Sequence, residues 1–95
     1  MRVVWRAAAR DDRRRITAWL AERNPVAAVR ITRALLAAAD SLAALPEKGR
    51  PGRVPGTREL SAVPPYVIIY QVEREARLVR ILRVWHTAQD RETGE

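Results

Sequence analysis

The sequence contains no cysteine, a single histidine and a single methionine. Without cysteine, the chain can form neither a disulfide nor a thiolate metal site. One histidine cannot build a zinc site unless carboxylates supply the other ligands, so we expect no metal and no other cofactor. Long apolar runs are also absent: residues 3–5 are too short a run for a signal peptide, and no segment approaches a membrane span. We therefore expect a cytoplasmic protein that contacts no membrane.

Size and charge narrow the possible classes further. Ninety-five residues, 47% of them hydrophobic, predict one domain over residues 1–95 with a single core. The net charge of +7 is uneven: residues 1–45 carry +5, residues 46–60 carry +2, and residues 61–95 are balanced. This excess favours nucleic-acid phosphates or an acidic protein as a partner, without choosing between them. The alternative is that the arginines form an ordinary solvated surface.

Two helices are predicted in the first half of the chain. The first begins at residue 7 and would turn Ile16, Trp19 and Leu20 inward. Pro25 interrupts the pattern because it has no amide hydrogen and disfavours helical geometry in the residue before it. A second helix is predicted over residues 25–45, with one apolar face formed by residues at alternating spacings of four and three: Ile31, Leu35, Ala38, Leu42 and Leu45. Together the two segments predict a helical hairpin.

The other regular elements are predicted to be strands. Short runs rich in apolar and β-branched residues indicate strands at residues 2–5, 59–63, 66–72 and 78–86. Residues 46–55 hold three prolines and two glycines among basic side chains, so we expect a basic loop there. A helix pair that must bury one stripe finds its partner in one face of the sheet. The sequence therefore predicts a two-layer α+β domain.

Several short motifs, taken in their order and spacing, resemble the RelE/ParE toxin superfamily over nearly the whole chain. They are the Asn-Pro, Leu-Pro, Gly-Arg, Gly-Thr-Arg-Glu-Leu, Pro-Tyr-Val-Ile-Ile-Tyr-Gln-Val and Ile-Leu-Arg-Val-Trp-His-Thr-Ala-Gln segments at residues 24–25, 45–46, 49–50, 56–60, 65–72 and 81–89. The resemblance implies a RelE/ParE-like fold, in which an N-terminal strand and a helical hairpin precede a three-stranded antiparallel meander. It also implies the toxin of a type II toxin–antitoxin pair, neutralised by a cognate antitoxin in a hetero-oligomer.

The superfamily contains two mechanisms, and the residues leave both open. RelE-like members cut mRNA on the ribosome, whereas ParE-like members bind and poison DNA gyrase. A RelE-like pattern commonly has an arginine after Tyr66 and a basic residue after the last strand, where this chain has Val67 and His86-Thr87. These departures and the long hairpin favour gyrase inhibition. The alternatives are a metal-independent, ribosome-dependent endoribonuclease and, from charge alone, a non-toxic nucleic-acid-binding accessory protein.

If the chain is a ribonuclease, the resemblance points to two catalytic candidates. His86 lies where histidine-using relatives place a catalytic imidazole, and Arg58 lies where RelE-like enzymes have a basic residue. A histidine can transfer protons near neutral pH, while a guanidinium binds phosphate oxygens in bidentate fashion. RNA cleavage also needs a second proton-transfer group, for which the remaining candidates are Glu59, Tyr70 and Gln89.

Contacts with a macromolecular target are predicted in two places. Arg50 and Arg53 lie in the basic loop. Arg83 and Trp85 alternate along the last strand on the face opposite to His86, and Gln89 follows that strand. Tyr66 and Tyr70 share a strand face with Ile68 and Val72, so packing beneath the helices accounts for at least one of them.

Overall fold

A computed structural model describes residues 1–88 of the chain. Strand β1 (Arg2–Trp5) precedes helices α1 (Ala7–Arg23) and α2 (Pro25–Ser41), which are followed by strands β2 (Arg50–Pro51), β3 (Arg58–Val63), β4 (Tyr66–Glu73) and β5 (Leu78–His86). This order confirms the predicted strand, helical hairpin and meander. Among the described residues, no helix is both long and apolar enough to cross a bilayer.

The joint of the hairpin has a local cause. Asn24 lies outside helical geometry, and its side-chain oxygen accepts a hydrogen bond of 3.1 Å from the Ala27 amide. Pro25 follows at the first helical position. An amide hydrogen there has no acceptor within the helix, so proline loses no helical hydrogen bond. Across the hairpin, the hydroxyls of Thr17 and Thr32 lie 2.6 Å apart and join the two helices.

Two details of the predicted helices are wrong. Helix α2 ends at Ser41. The Leu42 amide donates to the carbonyl of Ala39, three residues back instead of the four of an α-helix, so the residues that follow leave the apolar stripe. Leu42 is buried, but Leu45 is 61% exposed. Trp19 is 53% exposed, because it flanks the stripe of buried and half-buried positions on α1, which are 9, 12, 13, 16, 17 and 20.

The five strands form one sheet in the order β1-β5-β4-β3-β2. Strand β1 runs parallel to β5, while the other neighbours are antiparallel. Strand β2 is a two-residue addition within the segment predicted as a loop. Pro51 is tolerated there because β2 is an edge strand, which has a neighbouring strand on one side only and needs no amide donors on the other.

The core lies between the helical hairpin and one face of the sheet. Its largest fully buried side chains are Leu35 and Leu42 from the helical half and Ile68, Tyr70, Val79 and Ile81 from the strands. Tyr66 belongs to the same cluster, as the strand pattern predicted. The sheet therefore offers two ends, one at the close of β5 and one at the basic loop, where side chains can reach a partner.

Candidate functional site

The two catalytic candidates, Arg58 and His86, lie apart in the sheet. Arg58 pairs with Tyr70 and His86 pairs with Tyr66, on either side of β4. Four residues along a strand span about 13 Å, and two strand spacings add about 10 Å across the sheet. The structure thus does not bring Arg58 and His86 together. We call the two places the His86 end (Asp12, Arg15, Arg83, Trp85, His86) and the loop end (Gly49, Arg50, Arg58, Glu59, Tyr70).

A cavity of about 390 Å³ opens at the His86 end. Helix α1 and strands β4 and β5 supply its walls: Asp12, Arg15, Ile16, Trp19, Tyr66, Arg83, Trp85 and His86. The half-buried imidazole of His86 meets the ring of Tyr66 edge-on, with 5.5 Å between centroids. Burial raises the pKa of Tyr66, so its phenol stays protonated around neutral pH. The cavity combines aromatic walls with cationic groups.

The buried carboxylate of Asp12 organises this end. It accepts hydrogen bonds from Nε and Nη2 of Arg83 at 2.7 and 2.9 Å, and from the Val84 amide at 2.9 Å. Arg15 adds a fourth bond of 2.9 Å. Strand β1 pairs with β5 only as far as Ile81. Beyond that point the Asp12 carboxylate, rather than a neighbouring strand, accepts the hydrogen bond of the Val84 amide.

The same contacts set the ionisation of Asp12. Burial raises the pKa of this carboxyl, since it is 5% exposed, but the bonds from Arg83, Val84 and Arg15 outweigh burial. The net pKa therefore lies below the ordinary value of 3.8. Asp12 is an anion at neutral pH, and it holds the guanidinium of Arg83 in one orientation.

Arg83 and Trp85 lie where the sequence predicts them. The register pairs Arg83 with Ile69 and Trp85 with Val67, which places both on the face opposite to His86. The Arg83 guanidinium lies 5.9 Å from the centre of the Trp85 ring. Their role in binding a target stays a prediction.

At the loop end, a neutral hydroxyl has the organising role. The Tyr70 hydroxyl donates to the Pro46 carbonyl at 2.8 Å and accepts from the Gly49 amide at 2.8 Å. Burial raises the pKa of Tyr70, which keeps the phenol protonated as a donor. Nη1 of Arg58 donates to the Gly49 carbonyl at 2.7 Å. Arg58 and Tyr70 thus hold the chain that leads out of α2.

Glu59 fixes the exposed part of the basic loop. Its carboxylate accepts from Nη2 of Arg50 at 3.1 Å and from the Arg53 amide at 3.2 Å. The side chains of Arg50 and Arg53 remain exposed. Glu59 therefore shapes the loop that displays two of the predicted target-binding residues.

Sequence reasoning missed Asp12 because, apart from Arg15, its partners are more than 70 residues away along the chain. Gln89, predicted both as a proton-transfer group and as a target contact, lies outside the described residues. The catalytic roles of His86 and Arg58 stay predictions. Within residues 1–88, no cluster of three or more His, Asp or Glu side chains could hold a metal ion.

Comparison with known proteins gives consistent results. The profile of the family described as "ParE toxin of type II toxin-antitoxin system, parDE" matches residues 3–91. Toxin RelE2 of Caulobacter vibrioides is 44% identical over 92% of this chain and 96% of its own length. The putative toxin Y4kP of Sinorhizobium fredii is 38% identical over 93% of this chain and 90% of its own.

Two solved structures share the fold. The chromosomal ParDE toxin–antitoxin system from P. aeruginosa matches with a TM-score of 0.79 and 24% identity, covering 90% of this chain and 95% of that one. The RelBE2 toxin–antitoxin complex from Mycobacterium tuberculosis matches with a TM-score of 0.68 and 28% identity over the same shares. Profile, relatives and fold agree, and the chain belongs to the ParE/RelE family of type II toxin–antitoxin toxins.

Proposed function

We propose that this toxin arrests growth by binding and inhibiting DNA gyrase, as its resemblance to ParE-like toxins implies. The observation that carries the proposal is the separation of Arg58 and His86 by about 13 Å along β4 and about 10 Å across the sheet. A ribonuclease needs its proton-transfer group and its phosphate-binding cation around one scissile bond. Inhibition by binding needs no such pair.

The contacts of Arg58, Tyr70 and Glu59 support the same proposal. The Arg58 guanidinium is engaged by the Gly49 carbonyl, and the Tyr70 hydroxyl by Pro46 and Gly49, so both stabilise the loop end. Glu59, another candidate for proton transfer, is bonded to Arg50 and to the Arg53 amide. Three groups that RNA cleavage could have used therefore have structural partners. What remains for a target is the exposed basic surface.

The partner that neutralises the toxin would be a cognate antitoxin, since both solved relatives are toxin–antitoxin systems. A basic toxin attracts an acidic partner, and a segment that folds on binding can cover a large surface for its length. We place this hetero-oligomer in the cytoplasm, where gyrase acts.

The test compares two targets with one protein preparation. Purified toxin is added to DNA gyrase with relaxed plasmid, and separately to ribosomes programmed with mRNA. We expect blocked supercoiling with stabilised DNA breaks, and intact message. His86→Gln should retain the inhibition, because the proposal gives the imidazole no chemical step. Gyrase inhibition would be contradicted if the wild-type toxin cleaved the mRNA and left supercoiling unaffected, and if His86→Gln no longer cleaved the mRNA.

Ribosome-dependent mRNA cleavage is the second candidate, and one observation favours it. Arg15, Arg83 and His86 line a single cavity, so a cation and an imidazole do meet at the His86 end, although Arg58 is absent from it. Two Caulobacter vibrioides relatives, 44% and 40% identical, carry the name RelE. In this case Arg15 and Arg83 would bind phosphate in place of Arg58, and Arg83→Gln would slow cleavage.

A further inference from the structure

The outer face of α2 carries an exposed apolar pair that the fold does not use. Val26 is 77% exposed and Val29 is 53% exposed, and three residues along a helix place them on the same side. Together with Pro25, Arg30 and Arg33 they line a shallow groove of about 590 Å³. The opposite side of the helix, through Leu35, packs into the core.

Local structure gives no reason for valine at these positions. Branching at Cβ restricts the side chain against the preceding helical turn, so valine is a poorer helix former than alanine. Helix α2 is otherwise rich in alanine, including Ala27 and Ala28 between the two valines. A pair of exposed valines in such a helix adds apolar surface to solvent and lowers helix propensity. Contact with a partner would remove that surface from water.

The charge beside the valines is positive. Arg30 and Arg33 make no ion pair with any residue among the 88 that the structure describes. No acidic residue occurs between Arg23 and Asp40 in the sequence. An acidic surface is therefore the complement of this groove. A second copy of the chain would bring like charges together and is disfavoured.

We propose that this α2 surface, formed by Val26, Val29, Arg30 and Arg33, is where the toxin docks on the protein whose function it blocks. The partner element would be an acidic helix with an apolar stripe, which lays its stripe against the two valines and its carboxylates against the two guanidinia. The inference rests on the proposed function in one respect: the target is a protein recognised by binding. Its identity as gyrase is tested separately.

Two variants probe the two parts of this surface. Val26→Gln with Val29→Gln removes the apolar contact and keeps helix propensity, while Arg30→Glu with Arg33→Glu reverses the charge. Arg10→Glu with Arg14→Glu is the matched control, because it makes the same change in net charge at exposed positions of α1. Thermal unfolding of all three proteins checks that each remains folded.

The first readout is growth arrest after induction of the toxin alone, which does not depend on the identity of the target. We expect both α2 variants to lose growth arrest and the α1 control to keep it. The second readout is supercoiling by purified gyrase, where the α2 variants should need at least about ten times more toxin for half inhibition, roughly the loss of one good contact.

The outcomes separate the two proposals. If the wild type leaves gyrase unaffected while the α2 variants alone lose growth arrest, the docking surface stands and gyrase is the wrong target. Full growth arrest by both folded α2 variants would overturn the docking surface, and would assign the exposed valines to the antitoxin or to no partner. Equal loss in the α1 control would also overturn it, because total charge rather than this surface would then be responsible.

Discussion

The two ends of the sheet hold Arg83 and Arg58 by different means, although Glu59 adds an ion pair with Arg50 at the loop end. At the His86 end, an anion does so: Asp12 binds Arg83, Arg15 and the Val84 amide. At the loop end, a neutral phenol and tight backbone packing hold Pro46 and Gly49 in place, and Arg58 donates to a carbonyl. An ionised centre loses its contacts when it is protonated, whereas a neutral one responds mainly to changes of shape. The ends should therefore differ in their sensitivity to mutation and to pH.

This difference also decides what each end can offer a partner. Asp12 neutralises part of the positive charge of the arginines that it binds. It holds Arg83 in one orientation, with 43% of the Arg83 side chain exposed. The loop end presents Arg50, 70% exposed, on a segment whose internal bonds are satisfied by Tyr70 and Glu59. A rigid cation is suited to a defined contact, because little side-chain freedom is lost on binding. The His86 end is the better placed for specificity.

The largest effect is expected for Asp12→Ala. It leaves the Val84 amide without its acceptor and removes the Asp12 carboxylate from Arg83 and Arg15, beside a gap at the edge of β5. Because Arg83 is partly exposed and can be hydrated, we expect a loss of about 3 kcal/mol, the low end for a broken buried pair. Urea unfolding monitored by circular dichroism measures it. Asp11→Ala, an exposed neighbour, should change stability by less than about 0.5 kcal/mol.

The loop end should be most sensitive at Gly49. A Cβ at this position would lie 2.8 Å from the Glu59 carbonyl and 2.8 Å from the Tyr70 ring, so the backbone must move. We expect Gly49→Ala to destabilise the protein by about 2 kcal/mol, as overpacking commonly does. Urea unfolding is again the measurement.

Gly56 is the control for that substitution. A Cβ there meets nothing within 4 Å, but its φ of +84° is unfavourable for alanine. Gly56→Ala should therefore cost about 1 kcal/mol, and Gly56→Asn less, because asparagine tolerates the left-handed region. If Gly49→Ala and Gly56→Ala were equally mild, close packing at the loop end would not be what holds it.

A smaller effect separates the two tyrosines of β4. Tyr70→Phe removes one hydroxyl that serves both the Pro46 carbonyl and the Gly49 amide, and should cost about 1.5 kcal/mol. Tyr66→Phe makes the same change on the same strand face, where the hydroxyl has no hydrogen bond to the described residues, and should cost less than about 0.5 kcal/mol. Equal losses in thermal unfolding would remove the proposed contrast between the ends.

The elements of the fold could be predicted because their causes are local. Pro25 and Asn24 mark the joint of the hairpin, and β-branched runs mark β4 and β5. The exposure of Trp19 could not be predicted. The sequence shows an aromatic residue beside the apolar stripe of α1, but it does not show whether the sheet extends far enough to cover that residue. Its ring is instead covered by the Arg23 guanidinium, 3.9 Å from the ring centre.

The candidate site was harder to predict because it depends on register. The residue types at positions 58 and 86 suggested a catalytic pair, but only the pairing of both strands with β4 shows that they lie at opposite ends. Asp12 presents the reverse case, since Arg15 is its only partner nearby in sequence, and Arg83 becomes a partner only when β5 is placed beside α1. Long-range pairing, rather than local propensity, determines both results.

The smallest expected effect is a pH dependence that comes from Asp12 at the His86 end and is not expected from Tyr70 at the loop end. The folded-state pKa of Asp12 lies below its ordinary value, so its stabilising contribution is complete above that ordinary value and is lost as pH falls through the folded pKa. Unfolding free energies of wild type and Asp12→Asn, measured from about pH 6 to about pH 3, should converge toward the acid end, because the wild type loses a contribution that the variant lacks. Tyr70→Phe should run parallel to wild type over this range, since a phenol does not titrate there. A Tyr70→Phe curve that converged with wild type as the Asp12→Asn curve does would mean that the contacts of Tyr70 depend on an ionised group.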